Sequence, residues 1–187
     1  MFVQSFIQMK IRWKLPNRRQ FAQVFAVASL LIYGWTTYRF LEKLPSWLFY
    51  LTFSEILANY SYTLVFNLLE ALLFSSLILL LNLLLPTKYF MERFVARGSL
   101  LAIFSLGYLS YLALAVGQSK ASQFPMELFK WAPLVLLVIL IVSILLPRIE
   151  WIQKITNEFA DRAVIFLYIL LPLSGLGVLL FGINNLF

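Results

Sequence analysis

Hydrophobic positions in this chain gather into long runs, and the shorter segments between them hold most of the polar and basic residues. The runs at 21–40, 62–85, 98–117, 131–146 and 163–186 approach or exceed the roughly 20 apolar residues that cross a bilayer core. Neither the alternation of a half-buried strand nor the polar face of a soluble helix organises them. The pattern predicts an all-α integral membrane protein, a bundle of about five transmembrane helices with interfacial amphipathic helices.

The boundaries follow from charges, aromatics and breakers. Residues 1–20 set Phe2, Phe6, Ile7, Ile11, Trp13 and Leu15 among Lys10, Arg12 and Lys14 before Pro16 and Asn17 interrupt the run, which predicts a basic amphipathic segment at the membrane surface. It lacks the small-residue cleavage pattern of a signal peptide, so an uncleaved N-terminal anchor is expected. Residues 21–187 form the polytopic domain. Arg18 and Arg19 open its first span, and Tyr33, Trp35, Tyr38 and Arg39 supply the aromatic belt of headgroup depth at the far end. Leu44, Pro45 and Ser46 break that helix, with Ser46 a candidate N-cap for the next one.

From Trp47 to Leu85 there is no glycine or proline, and a single straight helix of that length would be about 58 Å long, nearly twice the hydrocarbon thickness. The segment is therefore divided into an interfacial helix at 47–58 and a span at 62–85, joined by the polar residues Glu55, Asn59, Tyr60, Ser61 and Tyr62. The uniformly aliphatic run 131–146 ends at Pro147 and Arg148 and belongs against lipid or an apolar neighbour. A second interfacial helix is expected at 149–162, where Ile149, Ile152, Ile155 and Phe159 recur at helical spacing opposite the pairs Glu150/Lys154 and Glu158/Arg162. Pro172 predicts a kink in the last span.

Composition agrees with this division. Of 187 residues 62% are hydrophobic and only 12% charged, too few charges to cover a water-facing surface. The chain has no cysteine and no histidine, which excludes thiolate nucleophiles, iron–sulfur ligation, histidine metal sites and imidazole catalysis. No cofactor is expected, because the aromatic residues have no axial ligand beside them to hold a haem or chlorophyll. The net charge of +7 would point to nucleic acid in a soluble protein. Here the cations lie between apolar runs, so they read as a topology signal, and Lys10, Arg12, Lys14, Arg18 and Arg19 as a contact to anionic lipid headgroups. One side of a five-span arrangement collects eleven cations: those five with Lys88, Arg93, Arg97, Arg148, Lys154 and Arg162. The other holds four, Arg39, Lys43, Lys120 and Lys130. This asymmetry places the N-terminus in the cytoplasm and the C-terminus outside, with a bacterial cytoplasmic membrane as the default location.

Few groups remain that can do specific work. Glu70 is an acid inside a span, with Asn67 and Thr63 on the same helical face. A carboxylate at membrane depth costs about 2.5 kcal/mol or more, so it calls for a partner, for water, or for protonation. With the span beginning at residue 62, Glu70 lies about two turns from its outer end and can also reach the interface. Three roles stay open for it: an isolated acid near the surface, a packing or subunit contact, and a proton or cation site. Pairing with Glu55 for acid/base catalysis requires a sharp turn near Asn59, since a continuous helix separates them by about 22 Å. Gly98, Ala102, Gly107, Ser110 and Gly117 in the third span, and Pro172, Gly175 and Gly177 in the last, are candidates for close helix packing within the chain or with another subunit.

The basic N-terminus, five spans and external C-terminus resemble in topology the membrane domain of lipoteichoic-acid-synthase-type enzymes. That resemblance carries no residue role, and the extracytoplasmic catalytic domain of those enzymes has no counterpart in the sequence. The leading expectation is a non-catalytic subunit or scaffold of a larger membrane complex, with other membrane subunits as partners and no nucleic acid. The alternatives are a small transporter or channel with a polar path at Thr63, Asn67 and Glu70, and a membrane-embedded lipid-handling enzyme or the membrane partner of an extracytoplasmic enzyme.

Overall fold

The computed structural model describes residues 15–85, 91–118 and 129–186. Lys10, Arg12 and Lys14 lie outside the described residues, as do Lys88 and Lys120. Five α-helices follow in order: α1 Arg18–Trp47, α2 Phe53–Leu84, α3 Phe94–Gln118, α4 Ala132–Leu145 and α5 Glu150–Leu186, with 3-10 turns at Met91–Arg93 and Leu146–Arg148. The described residues contain no strand. Four of the helices are long and apolar enough to cross a membrane. With 14 residues, about 21 Å, α4 is shorter than a bilayer core. The chain is an all-α membrane bundle.

The central element is α1, which packs against α2, α3 and α5. Seven consecutive residues, Gln23 to Ser29, are buried, so this stretch is enclosed on every side. α4 packs mainly on α3 and turns most of its aliphatic residues outward, as its composition predicts.

The helices are inverted relative to those of a soluble protein. On α2 the inward positions are Ser61, Leu64, Asn67, Ala71, Ser75, Ile78 and Asn82, while Phe66, Leu69, Leu73, Leu77 and Leu80 face out. On α5 the buried residues among those described are Thr156, Ala160, Ala163, Leu167, Ser174 and Gly177. Lipid tails are as apolar as leucine and give helices no hydrophobic reason to associate, so small side chains that allow close approach line the contacts instead.

Several boundaries differ from those expected. The joint at residues 59–62 is absent: α2 runs through it, so the segments 47–58 and 62–85 are not separate helices. α1 continues through Pro45 to Trp47, a turn follows, and Thr52 rather than Ser46 caps α2. The Thr52 backbone N–H donates to Glu55 Oε2 (2.7 Å) while Thr52 Oγ1 accepts from the Glu55 N–H (3.4 Å), a capping box. The expected interfacial helix 149–162 is the first part of α5, which also passes through Pro172. Its Ile149, Ile155 and Phe159 stripe is exposed, and neither Glu150/Lys154 nor Glu158/Arg162 forms an ion pair among the described residues. The sole aspartate, Asp161, instead ties α5 to the first turns of α1, accepting from Gln23 Nε2 (2.6 Å) and pairing with Arg19 (3.5 Å).

That tie sets the starts of α1 and α5 at one end of the bundle, the basic end. Arg93, in the turn before α3, donates to the Pro147 carbonyl and brings the close of α4 to the same end. At the opposite end Phe40 packs against Trp47 and Tyr60 with ring centroids 5.3 and 4.7 Å apart. Of the residues expected in the aromatic belt Tyr38 is exposed and Trp35 half-buried, but Tyr33 turns into the bundle and is buried there.

The small-residue candidates divide into two groups. Gly98 is a close approach: a Cβ there would lie 2.9 Å from Val24 Cγ2 and 3.5 Å from Ile78 Cγ2, where α3 meets α1 and α2. Ala102, four residues on, is fully buried in the same core. Gly177 is the corresponding approach of α5 to α2, with the Ser61 carbonyl oxygen 3.0 Å from its hypothetical Cβ. Gly107, Gly117 and Gly175 face open space, and Pro172 lies on an exposed face.

A polar tie reinforces the crossing of α1, α2 and α5. Tyr33 is buried and its hydroxyl donates to Ser174 Oγ, with the Leu64 carbonyl oxygen as a second, longer contact (3.3 Å), while Ser174 Oγ donates to the Leu170 carbonyl (2.8 Å). Tyr33→Phe should lower unfolding free energy in detergent by about 1 kcal/mol, and Ser174→Ala added to it should cost less than it does alone. Additive losses in that double-mutant cycle would refute the coupling. Gly98→Ala should cost about 1 to 3 kcal/mol by overpacking against the stiff Val24 side chain, whereas Gly107→Ala should be neutral or gain up to about 1 kcal/mol. Reversible unfolding of the two purified variants compares them directly.

Candidate functional site

Glu70 opens onto a cleft between three helices. α1 supplies Leu31, Ile32, Trp35 and Thr36, α2 supplies Glu70, Leu73, Phe74 and Leu77, and α3 supplies Leu106, Leu109 and Ser110. The cleft has a volume of about 480 Å³ and walls that are almost wholly apolar. Each group of lining residues sits near the midpoint of its helix, so the cleft lies at mid-depth of the bundle.

This placement revises the position expected for the acid. Glu70 is 17 residues from the start of α2 and 14 from its end, about 26 and 21 Å along the axis, not two turns from a terminus. A glutamate side chain reaches only a fraction of that distance. Its carboxylate is exposed to the cleft and makes no hydrogen bond or ion pair among the described residues.

The other two polar candidates on this face do not join it in a path. Thr63 Oγ1 donates to the Asn59 carbonyl (2.8 Å), one turn back on its own helix. Asn67 is buried on the inward side of α2 and does not line the cleft. Within the cleft Thr36 Oγ1 is likewise committed, donating to the Ile32 carbonyl (2.8 Å), which leaves Ser110 as the other hydroxyl. Such back-bonding is the usual way for hydroxyls to satisfy themselves in a helix that water does not reach.

Because α2 is unbroken, Glu55 and Glu70 are about 22 Å apart and cannot act on one substrate atom. Glu55 belongs to the capping box of α2. Among the described residues no group of three or more His, Cys, Asp or Glu side chains is placed to hold a metal ion. The chemistry of the cleft is therefore one carboxylate on an apolar wall, suited to accepting hydrogen bonds or a positive charge from something seated against it.

Matched against protein-family models, curated proteins and solved structures, the chain resembles none. Its site has to be read from its own residues.

Of the lipid-contact candidates within the described residues, Arg18 is exposed and Arg19 is engaged with Asp161. Sequence reasoning placed Tyr33 in the aromatic belt and Arg97 among the loop cations, and gave no role to Ser174, Gln23 or Asp161. For Gln23 and Ser29 a signal existed, polar residues within an apolar run, which in a membrane turn toward protein. Arg97 reads as a loop cation when the third span starts at residue 98, but the helix starts at Phe94 and carries it into the bundle.

Since Glu70 has no partner among the described residues, Glu70→Gln and Glu70→Leu should leave unfolding in detergent unchanged to within about 0.5 kcal/mol. A loss above about 1 kcal/mol in both variants would mean that the carboxylate supports the isolated fold.

Proposed function

We propose that this protein is a non-catalytic polytopic subunit or scaffold of a larger membrane complex, and that the cleft at Glu70 receives a helix of another membrane subunit. The observation that carries the reading is an unpartnered carboxylate at mid-depth, exposed on the side of the bundle. Left facing lipid it costs about 2.5 kcal/mol or more, a cost that a donor on a neighbouring helix offsets. The apolar walls around it give that helix a surface to pack on.

The reading includes an orientation. Arg18, Arg19, Arg93, Arg97, Arg148, Lys154 and Arg162 belong to the basic half of the bundle, against Arg39, Lys43 and Lys130 among the described residues of the other half. Under the positive-inside rule the basic end is cytoplasmic, the start of α1 lies there and α5 ends outside, in a bacterial cytoplasmic membrane. The basic segment with Lys10, Arg12 and Lys14, together with Arg18 and Arg19, then meets anionic headgroups.

A small transporter or channel uses the same mid-depth acid but has less support, since Thr63, Asn67 and Glu70 do not line one lumen. Proton or cation flux through reconstituted protein that falls in Glu70→Gln would favour it.

A photo-cross-linker at Leu73, on the cleft wall, should capture one defined membrane protein in native membranes, and a cross-linker at Tyr168, exposed on α5 outside the cleft, should not. Glu70→Leu should reduce the Leu73 product several-fold without changing expression. Lipid adducts alone at Leu73 would overturn the subunit reading.

A further inference from the structure

The start of α3 holds a charge that nothing among the described residues balances. Ala96 to Ala102 are all buried, and Arg97 among them is 5% exposed. Its Nε and Nη1 atoms are buried without a hydrogen-bond partner among the described residues. The charges that bear on it are the guanidinium groups of Arg93 and Arg148 and the carboxylate of Glu92. Three cations thus face one acid, and that acid is exposed to solvent. Burying an ion costs several kcal/mol unless a counter-charge and hydrogen bonds compensate, and two like charges nearby raise that cost. An anion seated on these groups would offset both costs.

The geometry of the neighbours fits such a ligand. Arg93 is anchored by its bond to the Pro147 carbonyl, which holds the 3-10 turn at Leu146–Arg148 against the start of α3 and sets Arg148 beside the other two. Guanidinium groups present planar forks of N–H donors that match the oxygens of a phosphate, and the first turn of α3 adds the positive end of its dipole. The depth is that of a lipid headgroup boundary: Gly98, the next residue, packs on Val24, about 9 Å inside the start of α1. On α4 the exposed residues Leu134, Leu137, Ile141 and Leu145, at three- and four-residue spacing, form an apolar stripe that ends beside Arg148. An acyl chain can lie along it while its phosphate reaches the arginines.

We propose that Arg93, Arg97 and Arg148 form a binding site for a phosphate oxyanion at the basic end of the bundle, occupied by the headgroup of an anionic phospholipid. The site is separate from the Glu70 cleft and from the N-terminal cations, and it does not depend on the subunit reading.

The test uses the full chain in neutral detergent at moderate salt, titrated with phosphatidylglycerol, phosphatidylcholine or inorganic phosphate and read by native mass spectrometry and thermal unfolding. Phosphatidylglycerol is expected to bind saturably, one molecule per chain, and to raise the melting temperature. Phosphatidylcholine should bind at least tenfold more weakly and millimolar phosphate should give no shift. Arg148→Gln, at an exposed position that leaves the core intact, should weaken phosphatidylglycerol binding at least tenfold, and Lys154→Gln, exposed at the same end but outside the cluster, should not. Arg97→Gln should abolish binding, and if that variant does not fold, Arg148→Gln decides. Stabilisation by inorganic phosphate equal to that by the lipid would keep the oxyanion site and overturn the lipid as its source. No saturable binding, or equal loss in Arg148→Gln and Lys154→Gln, would overturn the site.

Discussion

The close approach of α3 to α1, where Gly98 meets Val24 with no room for a side chain, is the contact on which the bundle is organised. In a membrane, helices gain nothing by hiding apolar surface from lipid, so they associate where their backbones come near enough for dense van der Waals contact. The fully enclosed stretch of α1 supplies Ala26, Ala28 and Ser29 to these contacts, α5 supplies Ala160 and Ala163, and Gly177 repeats the arrangement against α2. Many of the large leucines and phenylalanines, such as Phe66, Leu73 and Leu137, face outside, while Phe25, Phe94 and Leu101 fill the core between the close approaches.

Many polar groups in this bundle follow a second constraint, that an unsatisfied group away from water is costly. Thr36, Ser61, Thr63, Thr156 and Ser174 return their hydroxyl protons to carbonyls one turn back, and Tyr33 and Gln23 use theirs to tie helices together. The buried serines Ser29, Ser75, Ser99 and Ser143 also lack a partner among the described residues, and Glu70 and Arg97 differ from them in carrying charge, of opposite sign. The acid lies at mid-depth on the side of the bundle, open to another helix. The cation lies near the basic end, within reach of headgroups. Each points to something outside the chain, and their different depths point to different things.

Much of the architecture was legible in the order of residues. The apolar runs, the basic and aromatic flanks and the breaking Pro147 mark where helices lie, because bilayer thickness and headgroup chemistry act on each segment separately. The helix joints were less legible. A polar cluster such as Asn59 to Tyr62 resembles a surface turn, yet Ser61 turns inward and bonds to its own helix, so α2 continues through it. A similar misreading affected α5, where Ile149, Ile155 and Phe159 form the more conspicuous stripe but Thr156, Ala160 and Ala163 form the packed one. Hydrophobic periodicity marks a buried face in water. In lipid the small residues mark it.

The sequence by itself determined that this is a helical membrane protein, which end of it is basic, and that Glu70 is the acid needing explanation. Those properties depend on local composition and on the fixed thickness of the bilayer. Only the tertiary structure decided that α1 is the centre, that Glu70 lies at mid-depth without Thr63 or Asn67 beside it, and that Arg97 is buried among cations. Each of these depends on which helices cross and at what level, set by contacts such as Gly98 to Val24 and Asp161 to Gln23 between residues distant in the chain. Segment-by-segment reading has no access to that information, because a residue's partner across a helix crossing leaves no periodic mark on its own run.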